Sequence, residues 1–336
     1  MKMLMFDFRD TEKEYFKENT PNDLEIEFFR EPLSDKFHLT DSQKEDTVVL
    51  SVFINSELTP EILSQFRNLQ VVATRSTGYN HINLDYCKKN NIAVINTPYY
   101  GKYSVAQYTI GMIITLTRKV MLAANDVKNR KIDYSKYEGE NLSKLSLGVV
   151  GTGSIGSAVC ELANKFDLKI YAHDLKVNED IKGFVEYVDF DELISKSDII
   201  TLHIPYILEF YHLLSEKEFK KMKQGVYIIN TSRGELIDTG ALYKNIKSGK
   251  VKGAALDVLE CEYLKYDNEE IVTTVKNASE TCLENVIITD KLMEFDNVII
   301  TPHIAYNTKQ SIMNILESMF ISIKEHYHGG YLNRVI

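Results

Sequence analysis

A glycine-rich turn between an apolar strand and a helix constrains this chain more than any other feature of its sequence. Three glycines share the spacing G-x-G-x-x-G: Gly151, Gly153 and Gly156. An apolar β-type segment at 145–150 precedes them, and a helix-compatible stretch at 154–165 follows. A second apolar strand at 169–173 then ends in Asp174. This succession predicts a βαβ unit in which the glycines allow a tight turn and close packing of the helix on the strand.

The same turn is suited to bind the pyrophosphate of a dinucleotide. A helix N-terminus presents free N–H groups and a dipole that favours negative charge, so we assign Ser154 and Ile155 to this site together with the three glycines. Asp174 follows the first glycine by about 20 residues, where a carboxylate accepts both ribose hydroxyls and repels a 2′-phosphate. The sequence therefore predicts binding of NAD rather than NADP.

Length, charge and cysteine spacing exclude several classes of protein. A chain of 336 residues exceeds the usual size of one hydrophobic core, so two domains are expected. A net charge of −9 without a basic run argues against nucleic-acid binding. The cysteines at 87, 160, 261 and 282 lack C-x-x-C spacing, so we expect reduced thiols and no metal site. The N-terminus has no signal-type apolar core and no stretch is long enough to span a membrane, which favours a cytoplasmic, soluble protein.

Strand-like and helix-like segments alternate along the chain, which predicts two α/β domains with parallel sheets. In the first hundred residues the predicted strands are 2–8, 24–29, 47–53, 71–74 and 92–96, with helices at 60–67 and 83–90. From 145 onward the strands are 145–150, 169–173, 198–203, 226–230, 253–257 and 298–301, with helices at 154–165, 189–196, 216–222 and 239–248. One long helix over 104–128 is expected to connect the domains, and an amphipathic helix over 309–328 to complete the first. The predicted domains are therefore 1–100 with 302–336, and 101–301.

Polar and charged side chains follow several of the predicted strands. They are His203, Thr231, Ser232, Arg233, Asp257, Glu262 and His303, and Pro205 follows His203 in the same segment. A lone arginine there is usually a surface charge, and a lone histidine is usually capped or solvated. Ligands of open α/β sheets, however, bind beyond the carboxyl ends of the strands, so the shared position of these residues indicates one site.

The residue types at this site suggest a reaction class. NAD supplies hydride chemistry, so the protein must orient a substrate and move one proton. A histidine beside a carboxylate is suited to move that proton, because the negative charge favours imidazolium. An arginine holds a carboxylate through two parallel hydrogen bonds and polarises an adjacent carbonyl. Together these groups suggest reduction of a 2-oxo acid or oxidation of a 2-hydroxy acid.

At these positions the chain resembles the D-isomer-specific 2-hydroxyacid dehydrogenases. The matching motifs are RSTGYNHI at 75–82, GTGSIG at 151–156, HIP at 203–205, NTSRGELID at 230–238, ALDVLECE at 255–262 and TPHIAYNT at 301–308. The resemblance implies a Rossmann NAD-binding domain and a flavodoxin-like substrate domain, with the active site in the cleft between them. It also implies a homodimer.

The resemblance further implies a role for each matching residue. Arg233 would hold the substrate carboxylate and carbonyl, and His303 would be the general acid and base, oriented by Glu262. Backbone N–H groups of Thr77 and Gly78 would also bind the carboxylate. Residues that would line the cofactor are His203, Pro205, Thr231, Ser232 and Asp257, with Asp257 near the nicotinamide.

Within the family the chain is most similar to D-lactate dehydrogenases, because a long charged segment separates Glu262 from His303. Tyr100 falls where that branch carries a substrate-facing tyrosine, although a packed loop aromatic is an equal interpretation. The chain departs from the family at Lys102 and Gln107, in a region that helps to shape the mouth of the substrate pocket, so the resemblance leaves the size of the substrate open. For Lys102, a solvated position on the surface is the favoured interpretation.

The sequence thus predicts a cytoplasmic, NAD-dependent D-lactate dehydrogenase without a metal. The alternative enzyme acts on a bulkier 2-oxo acid, such as 2-oxoisocaproate or phenylpyruvate, or on glyoxylate. From a different class, an NAD-sensing binding protein is the alternative. The sequence leaves open the physiological direction of the reaction and whether residues 266–289 are ordered.

Overall fold

The computed structural model describes residues 1–20, 24–262 and 279–336. They form two compact units, Met1–Tyr100 with Asn307–Ile336, and Gly101–Tyr306. Residues 302–306, which the sequence analysis assigned to the first domain, therefore lie in the second unit. Of the segment 266–289, residues 266–278 lie outside the described residues.

The first unit is built on a five-stranded parallel sheet. Its strands are β1 (Lys2–Met5), β2 (Glu25–Phe28), β3 (Thr47–Val52), β4 (Val71–Thr74) and β5 (Ala93–Ile95). Their order is β2-β1-β3-β4-β5, which is the order of the flavodoxin-like domain that the resemblance implied. β1 ends earlier than predicted because Asp7 adopts a left-handed backbone conformation with φ of 54° and turns the chain away.

Five helices cover the described part of this sheet. They are α1 (Lys13–Asn19), α2 (Asp41–Asp46), α3 (Pro60–Leu63), α4 (Leu84–Lys89) and the C-terminal α12 (Lys309–Tyr327). The sequence analysis missed α1 and α2, because α1 buries only Phe16 and α2 buries no side chain, so neither has an apolar stripe. α12 packs Leu316 and Met319 against the sheet residues Val49 and Val71.

The second unit contains a seven-stranded parallel sheet. Its strands are β6 (Ser146–Val150), β7 (Lys169–His173), β8 (Glu186–Tyr187), β9 (Ile199–Leu202), β10 (Val226–Asn230), β11 (Val251–Leu256) and β12 (Val298–Ile300). The order β12-β11-β10-β9-β6-β7-β8 is the Rossmann order with one strand added at the edge. All its pairs are parallel, as predicted, and only the two-residue β8 was missed.

Helices flank this sheet in the described part of the unit. They are α5 (Lys102–Thr117), α6 (Val120–Lys128), α7 (Ser154–Asn164), α8 (Phe190–Lys196), α9 (Glu216–Lys221), α10 (Thr239–Lys247) and α11 (Glu280–Met293). α7 to α10 lie within the predicted ranges. The sequence left open whether residues 266–289 are ordered. Of these, residues 280–289 are helical and belong to α11.

The prediction of one continuous helix over 104–128 is wrong. Lys119 adopts a left-handed conformation with φ of 52°, which separates α5 from α6. The carbonyl of Thr117 accepts a hydrogen bond from Glu140 N (3.1 Å) in place of the next helical turn. The helix therefore breaks because a later segment of the chain takes its acceptor.

The expectation that all four cysteines are reduced is also wrong for two of them. Cys261 and Cys282 form a disulfide with Cα atoms 5.7 Å apart. Cys87 and Cys160 are free, buried thiols, and burial raises their pKa values to about 11 and about 12. These two thiols are therefore protonated and unreactive at neutral pH.

The described ranges contain neither a membrane-spanning helix nor a cluster of metal-binding side chains. No helix there has the length and apolar character needed to cross a membrane. The same ranges contain no group of three or more histidine, cysteine or acidic side chains placed to hold a metal ion.

Candidate active site

The glycine turn after β6 has a geometry that only glycine tolerates at two positions. Gly151 has φ of 90°, and a Cβ there would lie 2.6 Å from the carbonyl oxygen of His203. At Gly156 a Cβ would lie 1.9 Å from the carbonyl oxygen of Gly151, so any side chain would force α7 away from the turn. Gly153 has open space at its Cβ position and is the N-cap of α7. The first N–H groups of α7, at Ser154 and Ile155, thus face an open approach.

Asp174 lies directly after β7 and contacts the glycine turn. Its Oδ2 accepts hydrogen bonds from Thr152 N (2.5 Å) and Thr152 Oγ1 (3.1 Å), and its Oδ1 accepts one from Lys176 N (3.2 Å). Tyr187 donates its hydroxyl to Thr152 Oγ1 (3.0 Å). The carboxylate is therefore fixed beside the turn, at the place where a ribose hydroxyl pair would lie.

His203 follows β9 and is held in its neutral form. Burial lowers its pKa to about 3, and its Nε2 lies 3.0 Å from Thr201 Oγ1. A histidine that stays neutral does not exchange protons near pH 7, so it is suited to line a cofactor. The exposed Pro205 follows two residues later.

The segment after β10 is fixed by its own polar residues. Thr231 Oγ1 lies 3.0 Å from Thr109 Oγ1 of α5, and Ser232 donates its hydroxyl to the carbonyl of Ile204. The carbonyl of Arg233 accepts from Asn230 Nδ2 (2.8 Å), which orients the backbone from which the guanidinium extends.

The Arg233 guanidinium retains donors for a ligand. Its Nη1 donates to the carbonyl of Ser232 (2.7 Å), and its other N–H groups have no partner in the described part of its own unit. Gly234 brings the Arg233 turn close to the loop after β11, because a Cβ at Gly234 would lie 2.0 Å from the carbonyl carbon of Leu259. The arginine therefore extends from a turn that lies against the segment carrying Glu262.

Asp257, at the end of β11, organises the turn that carries His303. Its carboxylate is buried and accepts from Thr301 Oγ1 (2.5 Å), Ile304 N (3.0 Å) and Ala305 N (2.8 Å), and its carbonyl accepts from His303 N (2.9 Å). Burial raises the pKa of Asp257, and the three donors together with His303 oppose that rise. The aspartate is thus committed to positioning the 301–305 turn.

His303 and Glu262 form a direct pair. His303 Nδ1 lies 2.8 Å from Glu262 Oε1, and Glu262 Oε2 accepts a hydrogen bond from Leu259 N (3.3 Å). His303 has a left-handed backbone with φ of 53°, stabilised by the Asp257 contacts described above. Because Nδ1 faces the carboxylate, Nε2 lies on the opposite side of the ring and has no hydrogen-bond partner in the described part of the unit.

The remaining predicted residues lie in the first unit. Thr77 and Gly78 follow β4, in a turn closed by hydrogen bonds from Ser76 Oγ to Gly78 O (2.6 Å) and from Asn96 Nδ2 to Thr77 O (2.8 Å). These bonds use the carbonyls, and the N–H groups of Thr77 and Gly78 have no hydrogen-bond partner in the described part of the first unit. Tyr100 is half-buried, and its carbonyl accepts from Ser311 and Asn314 of α12.

Sequence reasoning missed several residues that position the site. Thr152 connects Asp174 to the glycine turn, and Thr301 connects Asp257 to the His303 turn. Glu260 and His212 form a second histidine–carboxylate pair beside Glu262, with Nε2 and Oε1 2.7 Å apart. Thr301 lies inside a recognised motif, whereas nothing in the sequence indicates that His212 contacts Glu260.

The observed geometry fits a dinucleotide. The close approach at Gly156, the open position at Gly153 and the free N–H groups of α7 form a cradle for a pyrophosphate. Asp174 would hold the ribose, and His203 with the 231–233 segment would contact the nicotinamide side.

Comparisons with known proteins agree with this geometry. Residues 110–305 match the family described as D-isomer specific 2-hydroxyacid dehydrogenase, NAD binding domain. An aromatic 2-oxoacid reductase of Clostridium sporogenes is 36% identical over 279 residues, covering 82% of each chain. D-lactate dehydrogenase kk1H of Curvularia clavata is 30% identical and covers 98% of this chain and 93% of its own.

A solved structure extends the likeness to the whole fold. The crystal structure of D-lactate dehydrogenase from Aquifex aeolicus, complexed with NAD and lactic acid, has a TM-score of 0.83 and 34% identity. It covers 98% of this chain and 97% of its own. The chain belongs to the D-isomer-specific 2-hydroxyacid dehydrogenase family, NAD-dependent oxidoreductases that act on the CH–OH group of 2-hydroxy acids, in the branch that includes the D-lactate dehydrogenases.

Proposed function

We propose that this enzyme reduces pyruvate to D-lactate with NADH. The observation that carries the proposal is the contact between His303 Nδ1 and Glu262 Oε1, 2.8 Å apart, on a loop that lies against the turn of Arg233. The likeness to the Aquifex aeolicus enzyme over nearly the whole chain supports a small substrate of this kind.

In the proposed mechanism Arg233 accepts the substrate carboxylate between its free N–H groups and polarises the 2-oxo group. Protonated His303 donates from Nε2 to the carbonyl oxygen, while Glu262 stabilises the imidazolium through Nδ1. When NADH is bound, it supplies the hydride to the carbonyl carbon. One hydride and one proton convert the 2-oxo acid to the 2-hydroxy acid, and His303 regains its proton from solvent.

Two histidines of the second unit, His203 and His303, have different roles in the proposed mechanism. His203 stays neutral because burial lowers its pKa to about 3, so it contacts the cofactor without exchanging protons. His303 exchanges the proton because a carboxylate faces its ring. Asp257 acts through the backbone of the 301–305 turn.

The proposal includes a cytoplasmic homodimer. Apolar side chains are exposed on α6 and in the segment after it: Val120, Met121, Val127, Ile132 and Tyr134. Exposed apolar surface of this kind favours a protein–protein contact, and here we assign it to a second copy of the chain. Sedimentation equilibrium of the wild-type protein and of a Val127→Glu, Tyr134→Lys variant tests this assignment; a wild-type monomer contradicts it.

A second substrate class is favoured by one comparison. The Clostridium sporogenes relative is an aromatic 2-oxoacid reductase, so phenylpyruvate is the alternative substrate for this chain. Tyr100 is the candidate residue for contact with the substrate side chain. Tyr100→Ala is therefore expected to raise the kcat/KM for phenylpyruvate relative to that for pyruvate.

The deciding experiment follows NADH oxidation with pyruvate, 2-oxoisocaproate, phenylpyruvate and glyoxylate in parallel, with NADPH as the comparison cofactor. We expect the highest kcat/KM with pyruvate and NADH, and a D-configured product. Preference for phenylpyruvate assigns the alternative substrate and keeps the mechanism. Tight NADH binding without turnover of any acid assigns the chain to the NAD-sensing class and overturns the proposal.

A further inference from the structure

The Cys261–Cys282 disulfide lies beside the proposed acid–base pair and has no part in the mechanism above. Cys261 directly precedes Glu262, and Cys282 is the third residue of α11, where its N–H donates to Ser279 Oγ (3.2 Å). Both cysteines are partly exposed, unlike the buried Cys87 and Cys160. A reagent in solution can therefore reach the disulfide.

Three successive residues of this turn are held by three different elements. Glu260 accepts hydrogen bonds from Thr239 N and Oγ1, at the first residue of α10. Cys261 is bonded to α11 through the disulfide. Glu262 contacts His303, which follows β12. Of the three, only the link through Cys261 is covalent.

The helix α11, to which the disulfide joins Cys261, is itself packed into the hydrophobic core. Its Leu292 is fully buried in one hydrophobic cluster with Leu242 and Ile246 of α10. Ile288 of α11 also lies against Gly240, at 3.8 Å from a Cβ placed there. The disulfide therefore ties the Glu262 turn to a helix that the core already fixes.

The backbone of Cys261 needs such a constraint. Its φ of 54° lies in the left-handed region, which a residue with a Cβ adopts at an energetic cost. Breaking the sulfur–sulfur bond would allow rotation at Cys261 to relieve this cost. Such a rotation would move the next residue, Glu262, away from His303.

We propose that the Cys261–Cys282 disulfide positions Glu262 for catalysis, and that its reduction by a dithiol lowers turnover. The inference rests on the acid–base role proposed for Glu262 and His303. A thiolate of the dithiol attacks one cysteine sulfur, which breaks the sulfur–sulfur bond and forms a mixed disulfide. That first attack releases the other cysteine as a thiolate. The second thiol of the reductant then displaces the attacked cysteine from the mixed disulfide, so two electrons and two protons pass to the protein and the reductant becomes a disulfide.

The first measurement counts thiols in the full-length protein after denaturation. The chain has four cysteines, so oxidised protein gives two titratable thiols and protein treated with dithiothreitol gives four. On reduction, kcat for the best 2-oxo acid should fall about tenfold, a part of the range that a positioned acid–base group supplies. The KM for NADH should stay unchanged, because the glycine turn is not touched.

Variants separate positioning from simple stabilisation. Cys282→Ser should match reduced wild-type protein and lose its response to dithiothreitol, whereas Cys87→Ala should keep the response. If reduction and Cys282→Ser lower the melting temperature but leave kcat unchanged, the disulfide only stabilises the fold and the proposal is wrong. Four thiols after incubation with oxidised glutathione also overturn it.

A readout independent of turnover separates this inference from the proposed function. In the nuclear magnetic resonance spectrum of ¹⁵N-histidine-labelled protein, reduction should shift the ring signals of His303, assigned through His303→Gln. The signals of His212 should stay, because Glu260 keeps its own anchors. If the His303 signals do not move, the positioning role fails even in an active enzyme. If they move in a protein that reduces no 2-oxo acid, the proposed function fails and the positioning stands.

Discussion

Two histidine–glutamate pairs lie side by side in this enzyme. Their nitrogen–oxygen distances are nearly equal, but the pairs differ in burial and in the other partners of their side chains. His303 Nδ1 lies 2.8 Å from Glu262, and His212 Nε2 lies 2.7 Å from Glu260. The two glutamates are separated only by Cys261. Distance alone therefore does not tell a proton-transfer pair from a structural one.

The second nitrogen of each ring makes the difference. His212 directs its Nδ1 toward Asp238 Oδ2, at 3.9 Å, so both of its nitrogens face carboxylates. Its ring also stacks on Tyr211 with centroids 3.8 Å apart. The Nε2 of His303 has no such partner in the described part of its unit. Only His303 has a nitrogen available for a substrate.

The two glutamates also differ, both in burial and in the number of hydrogen bonds that the second carboxylate oxygen accepts. The Glu260 side chain is 4% exposed and its second oxygen accepts two hydrogen bonds from Thr239. The Glu262 side chain is 33% exposed and its second oxygen accepts one, from Leu259 N. A buried, saturated carboxylate stabilises the fold, whereas a partly exposed one can respond to charge that develops during a reaction.

The largest expected effect is at His303. His303→Ala removes the proposed proton donor, so kcat for the best 2-oxo acid should fall about 10³-fold, within the usual contribution of general acid catalysis. Steady-state NADH oxidation measures the loss, and NADH fluorescence should give an unchanged Kd. His212→Ala is the matched control. An equal loss of kcat in the control would show that the two pairs do not have separate tasks.

Glu262→Gln should have the next largest effect, a fall in kcat of about 10- to 100-fold. The amide keeps the size of the side chain but loses the charge that favours imidazolium. Steady-state NADH oxidation by both proteins measures the loss, and NADH fluorescence should give an unchanged Kd for the variant. A kcat equal to that of the wild type would contradict a charge-stabilising role for Glu262.

His212→Ala should affect stability more than turnover. The substitution leaves the buried Glu260 with one partner fewer, which costs about 1–3 kcal/mol of unfolding free energy. Urea denaturation measures the loss, and kcat of the folded variant should remain within about threefold of wild type. A variant of normal stability and strongly reduced kcat would move His212 into the catalytic machinery.

The sequence predicted the strands that precede the candidate site better than the contacts that hold the site residues in place. β4, β7 and β10 begin and end at the predicted residues, because buried parallel strands are continuous apolar runs between polar residues. The partners that decide the role of a side chain come from distant segments, as His212 does for Glu260. The break after Thr117 was missed for the same reason, since its cause is a hydrogen bond from Glu140.

The disulfide could not be predicted from the sequence. Cys261 and Cys282 are 21 residues apart and match no motif, so their pairing depends entirely on where α11 lies. Composition and spacing therefore favoured free thiols. Glu262 and His303 could be proposed from the sequence because the proposed chemistry requires those residue types. The residues that hold them in place can differ in type, so no motif indicates them.

The smallest expected effect is that of a substitution at Thr239, which contacts only the second oxygen of Glu260. This substitution therefore tests the comparison of the two pairs most directly. Thr239→Val removes the hydroxyl donor but keeps the N–H donor and the shape of the side chain at the first residue of α10. The unfolding free energy should fall by about 1 kcal/mol, the net value of one hydrogen bond, and kcat should be unchanged. In a double-mutant cycle with His212→Ala, the two losses should be non-additive, since both act on one carboxylate. Additive losses would mean that Thr239 and His212 stabilise the fold independently. A fall in kcat would mean instead that Glu260 transmits its position through Cys261 to Glu262.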